Sequence, residues 1–362
     1  KVLAKVKVSG GGRCNVTHDS PNLRHLLAHY PRGAAFLKKA FAVFDHRSTV
    51  QWFAERGVEL KAEDDGRMFP VTDSSDTIVR ALQAAAERAG VAVRMQQPVR
   101  EVARIGTGFE VAGVRADRVI WATGGSPTAA GFNALVALGH AIEPPVPSLF
   151  TFNLPGDRIT ALMGVVVQGA VVRIQGTALT SAGPVLVTHW GLSGPAVLKL
   201  SAWGARELAA RGYDFKVQVN WIGGSNAEEA TARLEEALPG IRRKQLGNAC
   251  PWGLPKQFWL HLLAQAGIDP AIPWMELGKK PRNRLLDALL NDVHAVRGKT
   301  TFKEEFVTCG GIPLSEVDPR TMGSRLVPGL HFAGEVLDID GVTGGFNFQA
   351  AWTTGFIAGR LG

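Results

Sequence analysis

The chain has 362 residues, 46% of them hydrophobic and 20% charged, which is enough for two or three domains with their own cores. No apolar run approaches the roughly 18 residues that span a bilayer and no secretory pattern stands at its start, so a helical membrane protein is excluded and the expected location is the cytoplasm. The net charge of +8 suits an anionic partner, but the basic residues are scattered, and their densest groups (residues 242–244 and 279–284) are of the kind that more often ends a solvated helix, so a small-molecule substrate is expected rather than nucleic acid.

Three cysteines, Cys14, Cys250 and Cys309, lie far apart and suggest neither a disulfide framework nor a metal site. In chain order, residues 9–15 read SGGGRCN, a triple-glycine loop with one cation and one amide. Residues 31–57 carry Phe36, Leu37, Ala40, Phe41 and Phe44 at helical spacing, then a second helix starting near Asp45 or Ser48. A short strand at 58–61 and a turn at 63–67 follow, and then a helix over 76–89 with Ile78, Val79, Leu82 and Ala86 on one face. Four β-like runs come next, at 91–94, 98–105, 108–114 and 118–122. The stiff segment Pro144, Pro145, Val146, Pro147 marks a domain boundary. Residues 150–224 have β texture and 226–296 are mostly helical, before a strand and a Gly-Gly turn at 305–311. The first domain is therefore expected to be discontinuous, 1–150 plus 301–362, around an insert at 151–300 that is β-rich to 224 and helical from 225.

Three glycine-rich turns carry the functional signal. The last begins with an apolar strand at 330–333, passes Gly334, Glu335 and a loop with Asp338, Asp340, Gly341, Gly344 and Gly345, and enters a helix near Phe346. Glycines let backbone N–H groups approach a ligand, a helix N-terminus suits a phosphate, and a carboxylate at a strand end accepts from hydroxyls. The strand at 119–122 ends likewise in Thr123, Gly124 and Gly125. With the loop at 9–15, these turns fit the carboxyl-end crevice of an α/β sheet, where ligands bind. The competing reading is plain turn chemistry between strand and helix.

The sequence resembles the BaiN-like (YhiN-type) family of FAD-dependent oxidoreductases. The matching segments are SGGGRCNVTH (9–18), GRMFP (66–70), WATGG (121–125), VTHWGLSGPAVLKLS (187–201), FVTCGGI (306–312) and TMGSRLVPGLHFAGEVLDIDGVTGGFNFQAAW (321–352). The resemblance implies an α/β fold: a discontinuous FAD-binding domain of the glutathione-reductase type, with an inserted β-plus-helical domain. Family members open with a βαβ unit bearing a G-x-G-x-x-G turn, and this sequence starts just after the place where that unit would stand. Without that unit, half of the pyrophosphate cradle would be missing and flavin binding would weaken.

The resemblance assigns roles residue by residue. Gly334 and Glu335 are expected at the FAD pyrophosphate and ribityl chain, and Gly344, Gly345, Phe346 and Asn347 at the flavin ring or phosphates. Gly11, Gly12, Arg13, Cys14 and Asn15 form a loop beside the flavin, with Arg13 paired either to a phosphate or to a protein carboxylate. Thr123, Gly124 and Gly125 approach the adenosine side, and Val99, inside a β-run, offers main-chain bonds to adenine. Asp340 either contacts the cofactor or shapes its turn. For a proton donor or redox partner the candidates are His189, Arg67 and Cys14, with His18 and Tyr30 beside them, each weighed against a structural role. The implied activity is NAD(P)H-driven reduction of an organic substrate, with reduction of a C=C bond in a dehydro-bile-acid ring as one activity in the family. The alternatives are a flavin-dependent enzyme acting on RNA and a non-catalytic flavin- or RNA-binding scaffold.

Overall fold

A computed structural model describes residues 2–99, 101–300 and 307–360. The chain divides into two compact units, Lys1–Ser148 with Phe302–Gly362, and Leu149–Thr301.

In the first unit the two ends of the polypeptide share one core. The strand Leu330–Phe332 pairs in parallel with Val119–Trp121, with Phe332 opposite Trp121. Parallel neighbours end on the same side, so Gly334-Glu335 and Thr123-Gly124-Gly125 leave the sheet together. The C-terminal helix Phe346–Gly359 is buried on several sides, through Phe346, Gln349, Ala350, Thr353, Thr354, Ile357 and Ala358. Its small side chains allow close approach, and its polar ones are satisfied internally. Thr17 Oγ1 donates to Gln349 Oε1 at 2.6 Å, Trp352 Nε1 to the Val16 carbonyl at 2.9 Å, and Thr353 Oγ1 to the Phe44 carbonyl at 2.8 Å. These bonds tie residues 16–44 to the last helix across more than 300 residues of sequence.

The helices expected early in the chain lie at Ala34–Ala40, His46–Ala54 and Ser75–Arg88, with Asp45 capping the second through Ser48 N–H. Arg67–Pro70 pairs with Leu60–Ala62 on one side and Thr17–His18 on the other. One expectation in this unit needs correction. Residues 91–99 form no strand: Val91, Val93, Met95 and Val99 are exposed, and the meander begins only at Val102, where backbone partners exist. The proline segment is itself a strand, Glu143–Ser148, paired antiparallel with Val307–Gly311 in a two-stranded sheet, where prolines are tolerated because each strand has a free edge.

In the second unit the described residues form a seven-stranded antiparallel sheet. Val166–Ile174, Thr180–Thr188 and Asp214–Asn220 are its long strands. Asp292–Arg297, expected as helix, pairs instead with Asp214–Asn220. Its alternation of buried Asp292, His294 and Val296 with exposed neighbours is the period of a strand. Helices Ala227–Ile241, Lys256–Gln265 and Lys279–Leu290 pack in the same core, around Trp221, Phe258, Trp259 and Trp274.

Candidate functional site

The glycine turns from both ends meet in the first unit. Asn15 lies against Gly345: with its amide set to satisfy both neighbours, its oxygen accepts from Gly345 N–H at 3.0 Å and its nitrogen donates to Thr17 O at 2.9 Å. Gly345 has φ +90°, and a Cβ there would stand 2.5 Å from the Thr17 carbonyl oxygen. Lys5 Nζ reaches Glu335 Oε2 at 2.9 Å. Gly125 packs against Thr308 and Glu335, whose Oε1 would lie 2.9 Å from an added Cβ. The same Oε1 accepts from Thr308 N–H at 2.7 Å. Two contact groups thus join the chain ends: Asn15 and Thr17 with Gly345, and Lys5, Gly125 and Thr308 with Glu335.

The acidic loop before the last helix is held by residues 29–32 and by Ser148. Arg32 forks onto Asp340, its Nε at 2.5 Å from Oδ1 and its Nη2 against Oδ2, and Ser148 Oγ donates to Oδ2 at 2.7 Å. Burial pushes the Asp340 carboxyl up, against the pull of Arg32 and Ser148. Tyr30 OH donates to the Phe346 carbonyl at 2.7 Å, and Val342 N–H donates to the His29 carbonyl at 2.9 Å. Asp340 is fully buried, and its carboxylate accepts from Arg32 and Ser148. No spacing signal could reveal this clamp, because its partners lie 192 to 316 residues apart.

Several candidates are engaged elsewhere. Arg13 pairs with Glu63 at 2.6 Å and lies over Phe69, the arrangement of the carboxylate alternative. Cys14 is fully buried among Val6, Val16 and Phe53, and burial pushes its thiol up to about 11. It behaves as a small apolar group, not as a thiolate nucleophile. Arg67 is held by Asp65 at 2.7 Å and Glu63 at 2.8 Å. Val99 is exposed and outside any strand, so the strand backbone invoked for adenine is absent there. Asn347 turns its amide back onto both backbone groups of Gly341, leaving only its main-chain N–H for a ligand. Gly334 N–H is taken by Thr354 Oγ1 at 2.9 Å.

His18 stacks on Phe346 at 4.7 Å, and His29 stacks at 4.2 Å from the same ring and 5.7 Å from His18. Burial lowers the His18 pKa, so the ring is neutral near pH 7. Its Nε2 lies 3.1 Å from the Asp65 carbonyl, which only accepts, so Nε2 carries the proton and Nδ1 accepts from Ser20. A neutral His18 has no further proton to give. Tyr30 is likewise committed, and burial raises its pKa well above the ordinary phenol value. His189 belongs to the second unit, exposed on the turn between Thr188 and Gly191 with its ring against Trp190.

Four features remain open to a ligand. Gly11, Gly12 and Gly124 face open space with φ of +68°, +85° and +80°. The N–H groups of Phe346, Asn347 and Phe348 open the last helix and have no intrahelical acceptor. Thr308 Oγ1, fully buried beside Gly125 and Glu335, has no hydrogen-bond partner. Glu335 keeps a partly exposed carboxylate. Among the described residues no His, Cys, Asp or Glu group is arranged to hold a metal ion, and no helix is long and apolar enough to cross a membrane.

The sequence was compared with known proteins. It is 30% identical over 364 residues to the ribosomal RNA dihydrouridine synthase of Escherichia coli (strain K12), spanning 97% of this chain and 86% of that one. It is 26% identical over 377 residues to the 3-dehydro-bile acid delta(4,6)-reductase of Clostridium scindens, spanning 98% and 89%. It is 28% identical over 373 residues to the ribosomal RNA dihydrouridine synthase of Haemophilus influenzae, spanning 98% and 88%. The model of the HI0933-like protein Rossmann domain matches residues 1–361. With an α/β fold whose glycine turns meet at the carboxyl ends of parallel strands, this chain belongs to the HI0933-like family of Rossmann-domain proteins.

Proposed function

We propose that the chain is an FAD-dependent oxidoreductase that takes electrons from NAD(P)H and reduces a C=C bond conjugated to a carbonyl. The first unit is read as a glutathione-reductase-type FAD-binding domain and the second as its insert. The observation that carries this reading is the meeting of Asn15 with Gly345 and of Gly125 with Glu335 and Thr308.

The residues fit the ribityl and ring half of FAD. The buried, unpartnered Thr308 hydroxyl and the Glu335 carboxylate suit ribityl hydroxyls, and the first-turn N–H groups at Phe346 and Asn347 suit ring carbonyls or a phosphate. When bound, the group supplies hydride exchange with a nicotinamide and with a carbon acceptor. The chain's own residues position it. Asn15 fixes the peptide of Gly345, Tyr30 fixes the carbonyl of Phe346, and Arg32 with Ser148 keeps the acidic loop from collapsing. His18 and His29 buttress Phe346 as neutral or stacked rings rather than as proton donors.

The names of the similar proteins describe one chemistry on two substrates. A dehydro-steroid Δ4,6 system and the pyrimidine of uridine both present a C=C bond conjugated to a carbonyl, ready for hydride addition. The second reading is therefore an RNA uracil as substrate, supported by the net charge of +8 and by 30% identity to a protein named for that reaction.

In the test, purified protein is expected to show a flavin absorbance band that NADPH or NADH bleaches and an enone or a uracil-bearing RNA restores. Glu335→Ala is expected to lower flavin occupancy about fivefold to tenfold, the loss of one or two hydrogen bonds. Unchanged occupancy in that variant would refute the hydroxyl-binding role of Glu335.

A further inference from the structure

We propose that the exposed basic face formed by Arg242, Arg243, Lys244, Lys279 and Lys280 in the second unit docks the phosphate backbone of structured RNA. The proposal rests on the RNA reading above for its choice of partner.

The backbone brings the two basic runs together. Trp274 N–H donates to the Lys244 carbonyl at 3.1 Å and Met275 N–H to the Arg242 carbonyl at 3.0 Å. The helix Lys279–Leu290 starts just beyond, so its first two lysines lie close in sequence to the segment that pairs with Arg242–Lys244. All five side chains are exposed, as is Met275 between them.

Stability accounts for only part of the cluster. Some cations elsewhere bind carboxylates, among them Arg13, Arg32, Arg67, Lys61 and Arg211, whereas others, such as Lys38 and Lys39, stand singly on the surface. Among the described residues none of the five pairs with a carboxylate. Arg242 and Arg243 follow the C-terminus of Ala227–Ile241, where cations suit the helix dipole. Lys279 and Lys280 occupy the first turn of their helix, where the dipole opposes them, and the Gly278 cap has no side chain to offset it. Nearby, Arg282 Nε is shielded from solvent and has no acceptor. Like charges held together at a dipole-disfavoured position lower stability unless a polyanion neutralises them. One exposed methionine gives too little apolar area for insertion into a bilayer interface, which favours a phosphodiester chain over a lipid surface.

The test uses the whole chain and a labelled RNA stem-loop, with a DNA hairpin and anionic phospholipid vesicles as other arms. The five residues are changed to glutamine together, and Lys38→Gln with Lys39→Gln, an exposed pair in the first unit, serves as control. The fivefold variant is expected to bind RNA about 100-fold more weakly and to flatten the slope of log K against log salt by about 3 to 4, while the control matches the parent. Its melting midpoint is expected to stay or rise, because repulsion has been removed. RNA binding by the fivefold variant equal to the parent, or tighter binding to vesicles than to RNA by the parent, overturns the surface assignment. A parent that binds no RNA overturns the RNA reading itself.

Discussion

Gly345→Ala is expected to destabilise the first unit by about 3 kcal/mol or more, from left-handed backbone strain and from overpacking. The added methyl would stand 2.5 Å from the Thr17 carbonyl oxygen and 2.8 Å from the side-chain amide of Asn15, at φ +90°. Neither obstacle is the loose end of a flexible side chain. Thr17 is fully buried, in a strand, and hydrogen-bonded to Gln349. Gly11→Ala is the matched comparison: its φ is +68° but its Cβ would meet nothing within 4 Å. It is expected to cost about 1 kcal/mol of backbone strain alone. Denaturant midpoints of the two variants read the difference directly, and equal midpoints would mean that the chain ends are not in the contact described.

The second large effect concerns a buried ionic group in the second unit. His294 sits between Asp157 (Nδ1 to Oδ2, 2.7 Å) and Asp292 (Nε2 to Oδ2, 3.0 Å). Asp292 also accepts from Trp221 and Gln265, and Asp157 from Ile159 N–H. Both ring nitrogens face carboxylates, so the ring is an imidazolium. Burial works against that charge, but the two carboxylates overcome it and raise the pKa to about 9. A histidine raised in the folded state contributes its stability below its unfolded value near 6.5 and loses it as pH climbs through 9. The contribution is about 3 kcal/mol. The partner carboxyls run the other way. Burial alone would raise them, hydrogen bonds from His294 hold them below 3.8, and their share is lost in acid. The triad is therefore strongest between roughly pH 4 and 6.5. His294→Gln is expected to cost about 3 to 5 kcal/mol near pH 6 and to abolish the loss of stability between pH 7 and 10. A variant whose unfolding free energy keeps the parent's alkaline slope would show that His294 does not carry it.

The sequence was legible where a signal is local. Helical spacing located Ala34–Ala40 and Ser75–Arg88, Asp45 capped as its type suggests, and the strand–glycine–helix order at 330–346 appears as Leu330–Phe332 and Phe346–Gly359. It was misleading where a run takes its state from a distant neighbour. Residues 91–94 alternate like a strand yet find no ladder, whereas 292–297 lies within a helical stretch and becomes an edge strand beside Asp214–Asn220. The candidate site divides along the same line. Glycines that must approach backbone, such as Gly125 and Gly345, could be named from composition. The partners that consume Arg13, Arg67 and Asp340 could not, because a charge does not announce its counter-ion. Arg32 and Lys5 carried no motif at all, Thr308 lay in a matching segment without a role, and only folding brings them to Asp340 and Glu335. The strand expected at 305–311 is seen from Val307, and its first two positions lie outside the described residues.

The claim beneath the whole account is that both ends of the polypeptide build one pocket for FAD. Backbone hydrogen exchange, followed by mass spectrometry with and without added FAD, reads it most directly. Peptides covering residues 9–15 and 344–348 are expected to slow together on FAD addition, with half-saturation at the same concentration, while peptides from 214–220 do not change. Protection of one end without the other, or of neither, would contradict it.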